Sequence, residues 1–141
     1  MISATVAQLE AISSSPIDKV GVALNLSSAL GHKPARSVEC YVMPISERAT
    51  GNRRTTGKAL QEVQVTIGVV TAVRALNDPT GERSKDRLEV VRQSVRDALF
   101  GWQPEGASTY YLLGNSDLVQ MAPGAIWWLD RFVTKTQRQQ G

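Results

Sequence analysis

Residues 60–75, LQEVQVTIGVVTAVRA, form the stretch that decides the fold. Large apolar residues alternate with polar ones and many are β-branched, which is the pattern of a strand with one buried face. The predicted inward face carries Val63, Val65, Ile67, Val69 and Val73. At ~3.3 Å per residue this strand would span about 55 Å, whereas a globule of this chain length is roughly 37 Å across. The strand therefore either bends at Gly68 or projects beyond the body, where a partner would have to cover it.

Two helices are predicted, one before this strand in the sequence, over 3–13, and one after it, over 82–99. Both show apolar residues at the three- and four-residue spacing of a helix with one buried stripe. Gly101 follows the second helix and suits a C-terminal stop. The stripes are Ile2, Val6, Leu9 and Ile12 in the first helix and Leu88, Val91, Val95 and Leu99 in the second.

Several shorter strands complete the prediction. Residues 38–45 alternate like a strand that ends near Pro44,. A hairpin is predicted from 110–113 and 118–121, joined by a Gly114-Asn115-Ser116 turn, and a last strand from 126–134,. The remaining short segments are 17–24, which suits either a strand or the entry to the next turn, a helical turn and a half over 25–30, and turns around His32 and over 77–81.

The fold class that follows is α+β, with a mostly antiparallel sheet and two main helices packed on one face. The 141 residues, 42% of them hydrophobic and 21% charged, suit a single globular domain over 1–141. Residues 46–58 contain almost no large apolar side chain and are predicted to form a long basic loop. The polar tail from about 136 is predicted to be frayed.

The residue inventory argues against catalysis. His32 is the single histidine and Cys40 the single cysteine, so the chain has too few ligands for a zinc site and one histidine for any nucleophile–base pair. No phosphate-binding glycine motif is present. We therefore predict a protein that is not an enzyme and has neither cofactor nor metal, with Cys40 as a small buried residue. We expect it to be soluble, because it has neither a signal peptide nor an apolar run of ~20 residues.

The predicted loop is more informative than the rest of the surface. It carries Arg48, Arg53, Arg54 and Lys58, and no acidic residue lies between the first and the last of them. Such a run is either simply solvated or faces phosphates or an acidic partner. In a ring of identical subunits these charges would recur on every copy, so a modest net charge of +3 per chain would become a strong potential at the lumen or rim.

Aromatic residues are concentrated near the C-terminus. In a strand the adjacent Trp127 and Trp128 must point to opposite faces of the sheet. One can fill the core, and the other is either covered by the N-terminal segment and first helix or faces a neighbouring subunit. Because tryptophan is enriched at the centres of interfaces, the predicted subunit interface consists of Trp127, Trp128, Phe132 and Tyr41.

Five runs of the sequence together resemble the tail terminator proteins of long-tailed, siphovirus-like bacteriophages and prophages. They are VMPISER (42–48), VTIGVV (65–70), VRALND (73–78), ALFGWQP (98–104) and IWWLDRFVT (126–134). The resemblance implies a small α/β sandwich. It supplies no catalytic residues.

The resemblance also implies a function in the virion. Such proteins assemble as a ring, usually a hexamer, on the end of the tail tube. They stop tube polymerisation and provide the surface for head–tail joining. The expected partners are therefore other copies of the chain, the tail tube protein, a head–tail connector protein and, transiently, genome DNA in the lumen. The expected location is the head-proximal end of the tail, after assembly in the host cytoplasm. Alternatives are another head–tail connector or completion subunit and a basic nucleic-acid-binding domain.

Overall fold

The computed structural model describes residues 1–31, 34–52, 54, 56–75, 82–122 and 124–140. The predictions for His32, Arg53 and the turn over 77–81 lie outside these residues. Within them the helices are α1 (Ile2–Glu10), α2 (Leu26–Leu30) and α3 (Glu82–Leu99), and the strands are β1 (Lys19–Val22), β2 (Val38–Asn52), β3 (Leu60–Arg74), β4 (Leu112–Ala122) and β5 (Ala125–Gln139).

The five strands form one sheet in the order β1-β2-β3-β5-β4. β1 runs parallel to β2, and the other three pairs are antiparallel. β3 lies in the centre and pairs with β5 in unbroken register from Leu60–Gln139 to Arg74–Ala125. The predicted class, α+β with a mostly antiparallel sheet, is confirmed, and the segment left open at 17–24 contains the parallel edge strand.

Helices cover both faces of the sheet. α1 and α3 lie on one face, where Leu9, Leu88 and Val95 share a core with Val42, Val69 and Phe132 of the strands. This confirms two main helices on one face. The short α2 packs on the other face through Ala29, against Tyr41, Met43 and Trp127. The apolar run 69–73 fits this arrangement, because a strand that is covered on both faces loses its alternation.

The predicted loop over 46–58 is wrong for its first half, because β2 continues to Asn52. Residues 46–49 pair with Val63–Thr66 of β3. The predicted fraying from 136 is also wrong, since β5 continues to Gln139 opposite Leu60. Both segments lack apolar alternation because no helix covers them, and their strand geometry comes from backbone pairing with β3 instead.

The predicted hairpin over 110–121 is wrong as well. Residues 112–122 form one strand, β4, whose register shifts between Leu113 and Ser116. Gly114 is inside this strand, where an added Cβ would lie 3.2 Å from side-chain carbons of both Arg131 and Val133. The glycine therefore permits close approach to β5, which single-sequence reasoning cannot distinguish from a turn.

Candidate assembly surfaces

The three long strands extend into a thin part of the sheet that we call the distal arm, residues 46–64 and 135–140. It contains the end of β2, the connection to β3, the start of β3 and the end of β5. Described side chains over 46–59 are exposed and those over 60–64 are half-buried. Each long strand has 15 residues, which gives a length of about 50 Å. Because this exceeds the ~37 Å expected for the body, the arm projects, and β3 passes Gly68 without a break in pairing.

The distal arm carries the positive charge of the molecule. Its sequence holds six Lys and Arg residues against two Glu residues, a net charge of +4, while the rest of the chain has ten basic and eleven acidic residues, a net charge of −1. Of these basic residues the structure describes Arg48, Arg54, Lys58, Lys135 and Arg138, and Arg53 lies outside the described residues. The net charge of +3 for the chain therefore understates the local potential of the arm.

The predicted basic residues that the structure describes lie on β2 and in the connection between β2 and β3. Arg48 is opposite Gln64 on β3, which in turn is opposite Lys135 on β5. Register partners point to the same face, so Arg48 and Lys135 share the face opposite α1 and α3. Lys135 Nζ lies 3.4 Å from Glu62 Oε1. Arg54 and Lys58 are exposed in the connection between β2 and β3.

The aromatic residues predicted for the subunit interface are covered by the chain itself. Trp127 and Trp128 point to opposite faces as predicted, since they belong to the two separate cores. Trp127 is only 2% exposed, and Phe132 and Tyr41 are buried too. These three side chains offer almost no surface to a neighbour, and Trp128 is half-buried. An outward-facing tryptophan was expected because the sequence did not show that α2 covers the second face.

Trp128 belongs to an ionic cluster that joins α3 to the sheet. Arg92 Nε donates to Asp130 Oδ2 at 3.1 Å and Arg92 Nη2 donates to Oδ1 at 2.9 Å. The guanidinium carbon lies 4.3 Å from the Trp128 ring centroid, within range of a cation–π contact. Nη2 also donates to Ser116 Oγ on β4 at 3.2 Å. One arginine therefore connects a helix to two strands.

The opposite side of the sheet has a polar cluster around Glu39. Tyr41 Oη donates to Glu39 Oε1, and the Arg36 backbone N–H donates to Oε2 at 2.9 Å. Burial opposes ionisation, but these hydrogen bonds and the positive charge of Lys19 hold the pKa of Glu39 below its usual value,. Burial and the hydrogen bond to Glu39 raise the pKa of Tyr41. Burial raises the pKa of the Cys40 thiol to about 12, as suits the predicted role of a small buried residue.

Sequence reasoning missed an exposed apolar surface at each edge of the sheet. At the β4 edge, large apolar side chains are exposed on and just before the strand, and we call them the β4 rim: Tyr110, Leu112, Leu113 and Leu118. At the other edge the corresponding set is Val22, Leu24 and Ile45, with Leu24 exposed to 76%. The signal for the rim was apolar residues at both alternating positions of a strand, which a half-buried strand does not show.

The second surface borders a cleft of about 700 Å³ where the distal arm leaves the body. We call the cleft together with Val22 the β2 cleft. Its wall combines the start of α1, the segment before α2 and the strands, and includes Met1, Ile2, Leu24, Ile45, Val65 and Thr136. Ile45 lies at the register shift of β2 between Pro44 and Ser46 and is 37% exposed. Exposed apolar surface of this kind is typical of a docking site.

Neither a metal-binding cluster nor a helix suited to a membrane is present in residues 1–31, 34–52, 54, 56–75, 82–122 and 124–140. Over these ranges no group of three or more His, Cys, Asp or Glu side chains is arranged to hold a metal ion. In the same part of the chain no helix is long and apolar enough to cross a membrane.

Comparison with models of protein families shows which family this chain belongs to. The family model described as phage tail terminator protein matches residues 3–140. The chain belongs to this family. The resemblance seen in the sequence is thereby confirmed, and the family is one of structural phage tail proteins. The match includes the distal arm, the β4 rim and the β2 cleft except for Met1 and Ile2.

A solved structure shows the same fold. A chain of the virion of a native gene transfer agent particle superposes with a TM-score of 0.54 at 18% sequence identity, over 98% of this terminator-family chain and 95% of that chain. At this identity the likeness concerns the fold alone, and it extends from end to end. A search of curated protein sequences found no match.

Proposed function

We propose that this chain assembles as a ring, with the hexamer as the expected form, on the end of the phage tail tube. There it stops tube polymerisation and provides the surface for head–tail joining. Membership of the tail terminator family over residues 3–140 carries the proposal. The role is structural and requires no catalytic step, cofactor or metal. The proposed partners are further copies of the chain, the tail tube protein and a head–tail connector protein.

The charge distribution supports a role for the distal arm within such a ring. Each copy contributes a projecting segment of net charge +4, while the body has a net charge of −1. Rotational symmetry would gather the arms into one positive zone, and a zone of one sign attracts phosphates more strongly than a single arm does. We propose that the arm faces the lumen or the tube-facing rim and contacts genome DNA transiently.

The mechanism of termination would be geometric. A stack of rings grows because each exposed face is the template for the next ring. A subunit that matches the tube on one face and presents a different face on the other ends the series. This requires two chemically different ends, and the molecule has them: a basic, thin, uncovered arm at one end of the sheet and a helix-covered body elsewhere.

The proposal is tested by tube assembly with purified proteins. Tail tube protein is polymerised with and without the chain, and tube lengths and ends are recorded by electron microscopy. We expect a ring at one end of each tube and no further growth from that end. Unchanged tube lengths and bare ends at saturating protein would contradict a terminator function. Strong salt-dependent DNA binding by a dilute monomer without tube capping would favour the nucleic-acid-binding alternative.

A further inference from the structure

The β4 rim and the β2 cleft lie at opposite edges of one sheet. The strand order puts β4 at one edge and β1 with the uncovered part of β2 at the other. Large apolar side chains are exposed at both edges, from Leu112 and Leu118 on one side to Leu24 on the other. Two unlike surfaces on opposite sides of a subunit are what a head-to-tail contact between identical copies needs.

We infer that the β4 rim of one copy packs into the β2 cleft of the next copy. The occupant of the cleft is thus a second copy of this chain. The inference rests on the proposed ring and deepens it by naming the two surfaces that make its subunit contact. It replaces the buried aromatic residues Trp127, Phe132 and Tyr41 as the source of the interface.

The sizes of the two surfaces agree. The rim has four exposed large apolar residues and the other edge has three, and all seven are between 37% and 76% exposed. A standard interface covers about 800 Å² on each partner, with an apolar centre inside a polar rim. Each surface is smaller than such an interface and would form part of its apolar centre.

The backbone at the two edges is also compatible. β1 covers β2 only as far as Val42, so the outer edge of β2 beyond that point has no strand beside it within the described residues. β2 and β5 both run antiparallel to β3, and β4 runs antiparallel to β5. β4 therefore runs opposite to β2, and a neighbouring copy in the same orientation would bring two antiparallel edges together. Covering both would remove the aggregation hazard of long open edges.

The contact is tested with one charge substitution on each surface and one control. Leu24→Asp alters the cleft, Leu118→Asp alters the rim, and Val90→Asp alters an apolar residue on α3 that is 59% exposed and belongs to neither surface. All three side chains are largely solvated, so thermal melts should show folded proteins. Ring formation is measured by mass photometry of the free protein and by microscopy of tube ends. We expect at least a 100-fold weaker association for Leu24→Asp and Leu118→Asp. Val90→Asp should associate as strongly as the wild type.

Mixing the two damaged variants tests the head-to-tail arrangement itself. Leu24→Asp keeps an intact rim and Leu118→Asp keeps an intact cleft, so an equimolar mixture should form heterodimers through the one undamaged contact and go no further. Each variant alone should remain monomeric. No heterodimer in the mixture would overturn the inference.

The outcomes separate this inference from the function on which it rests. Wild-type tube capping together with normal rings of both Leu24→Asp and Leu118→Asp would overturn the contact and leave the terminator function intact. Failure of the wild-type protein to cap tubes or to form rings would overturn the terminator function and the contact with it.

Discussion

At the residue scale, the buried ion pair between Arg92 and Asp130 is the main polar link between the helical layer and the sheet. The two residues are 38 positions apart in the chain, and no local pattern relates them. Asp130 is almost fully buried and receives three hydrogen bonds from one guanidinium. Removing one partner of such a pair leaves the other buried without compensation, which costs far more than loss of a surface pair.

The first prediction compares this pair with an exposed ion pair between β4 and β5. Asp130→Asn should lower the free energy of unfolding by about 3–5 kcal/mol. Asp117→Asn, which breaks the 2.6 Å pair with Arg131 at a 57% exposed side chain, should cost at most about 0.5–1 kcal/mol. Urea titrations with a common slope measure both values. Equal losses of unfolding free energy in the two variants would show that the buried pair stabilises the protein no more than the exposed pair does.

The second prediction concerns acid. Because the pKa of Glu39 is lower in the folded chain than in the unfolded chain, its stabilising contribution is present above the usual Glu pKa of about 4.3. That contribution is lost as the pH falls through the lower, folded value. Glu39→Gln should cost about 1–2 kcal/mol at pH 7, and the gap to the wild type should narrow below pH ~4.3.

Unfolding titrations of both proteins at several pH values between about 3 and 7 measure this gap. A gap of constant size over the whole series would contradict a charged Glu39 in the native state.

At the element scale, the central strand β3 depends on the glycine in its middle. A Cβ on Gly68 would lie 2.8 Å from Ile45 Cδ1 and 2.9 Å from Leu129 Cδ1. These two side chains therefore come together over the glycine from the neighbouring strands. Of the two alternatives left open by the sequence, the bend at Gly68 is absent from the pairing of β3 with β5, and the irregularity lies in β2 next to Ile45. Gly68 therefore leaves the space that the side chains of Ile45 and Leu129 occupy.

The third prediction follows from that space. Gly68→Ala should destabilise the protein by about 1–3 kcal/mol, because the added methyl group must displace two packed side chains. Gly51→Ala is the matched control, since a Cβ at this exposed position on β2 would meet nothing within 4 Å, and it should change stability by no more than about 0.5 kcal/mol. Thermal and urea unfolding check both. A neutral Gly68→Ala would mean that Ile45 moves away freely.

The same scale shows which elements a sequence can predict. α3 was predicted with its correct bounds, 82–99, because an amphipathic helix shows its own buried stripe. The end of β2 was predicted as a loop, because a strand that is uncovered on both faces has no apolar alternation. The end of β2 is a strand because its backbone is hydrogen-bonded to β3. That partner is distant in sequence, so the local pattern of residues does not reveal it.

At the scale of the whole molecule, charge and apolar surface are segregated. Positive charge is concentrated on the distal arm, and seven of the nine exposed large apolar side chains among the described residues lie at the two sheet edges, the other two being Val90 and Phe100. The first feature suits contact with phosphates or an acidic partner, and the second suits contact between copies. One chain thus presents separate surfaces for the two kinds of partner that a terminator ring would meet.

The fourth prediction tests whether the location of positive charge on the distal arm matters, or only the net charge of the chain. Arg48→Glu with Lys58→Glu on the arm, and Arg83→Glu with Arg87→Glu on α3, both change the net charge from +3 to −1. All four side chains are exposed, so both double variants should fold. The arm variant should reduce the yield of capped tubes or of DNA-filled particles by at least about 10-fold, while the α3 variant should behave like the wild type. Equal behaviour would show that the arm charges are only solvated.

The sequence by itself determined the fold class, the two main helices, the central strand and the family, because periodic burial and residue runs are properties of local order along the chain. Only the tertiary structure decided that β2 and β5 extend into an arm, that Trp127 and Phe132 are covered, and that most of the exposed large apolar side chains described lie at the two sheet edges. These features depend on which strands pair and on which helix covers which face. Such contacts join residues far apart in the chain, so their energies leave no periodic signal in it.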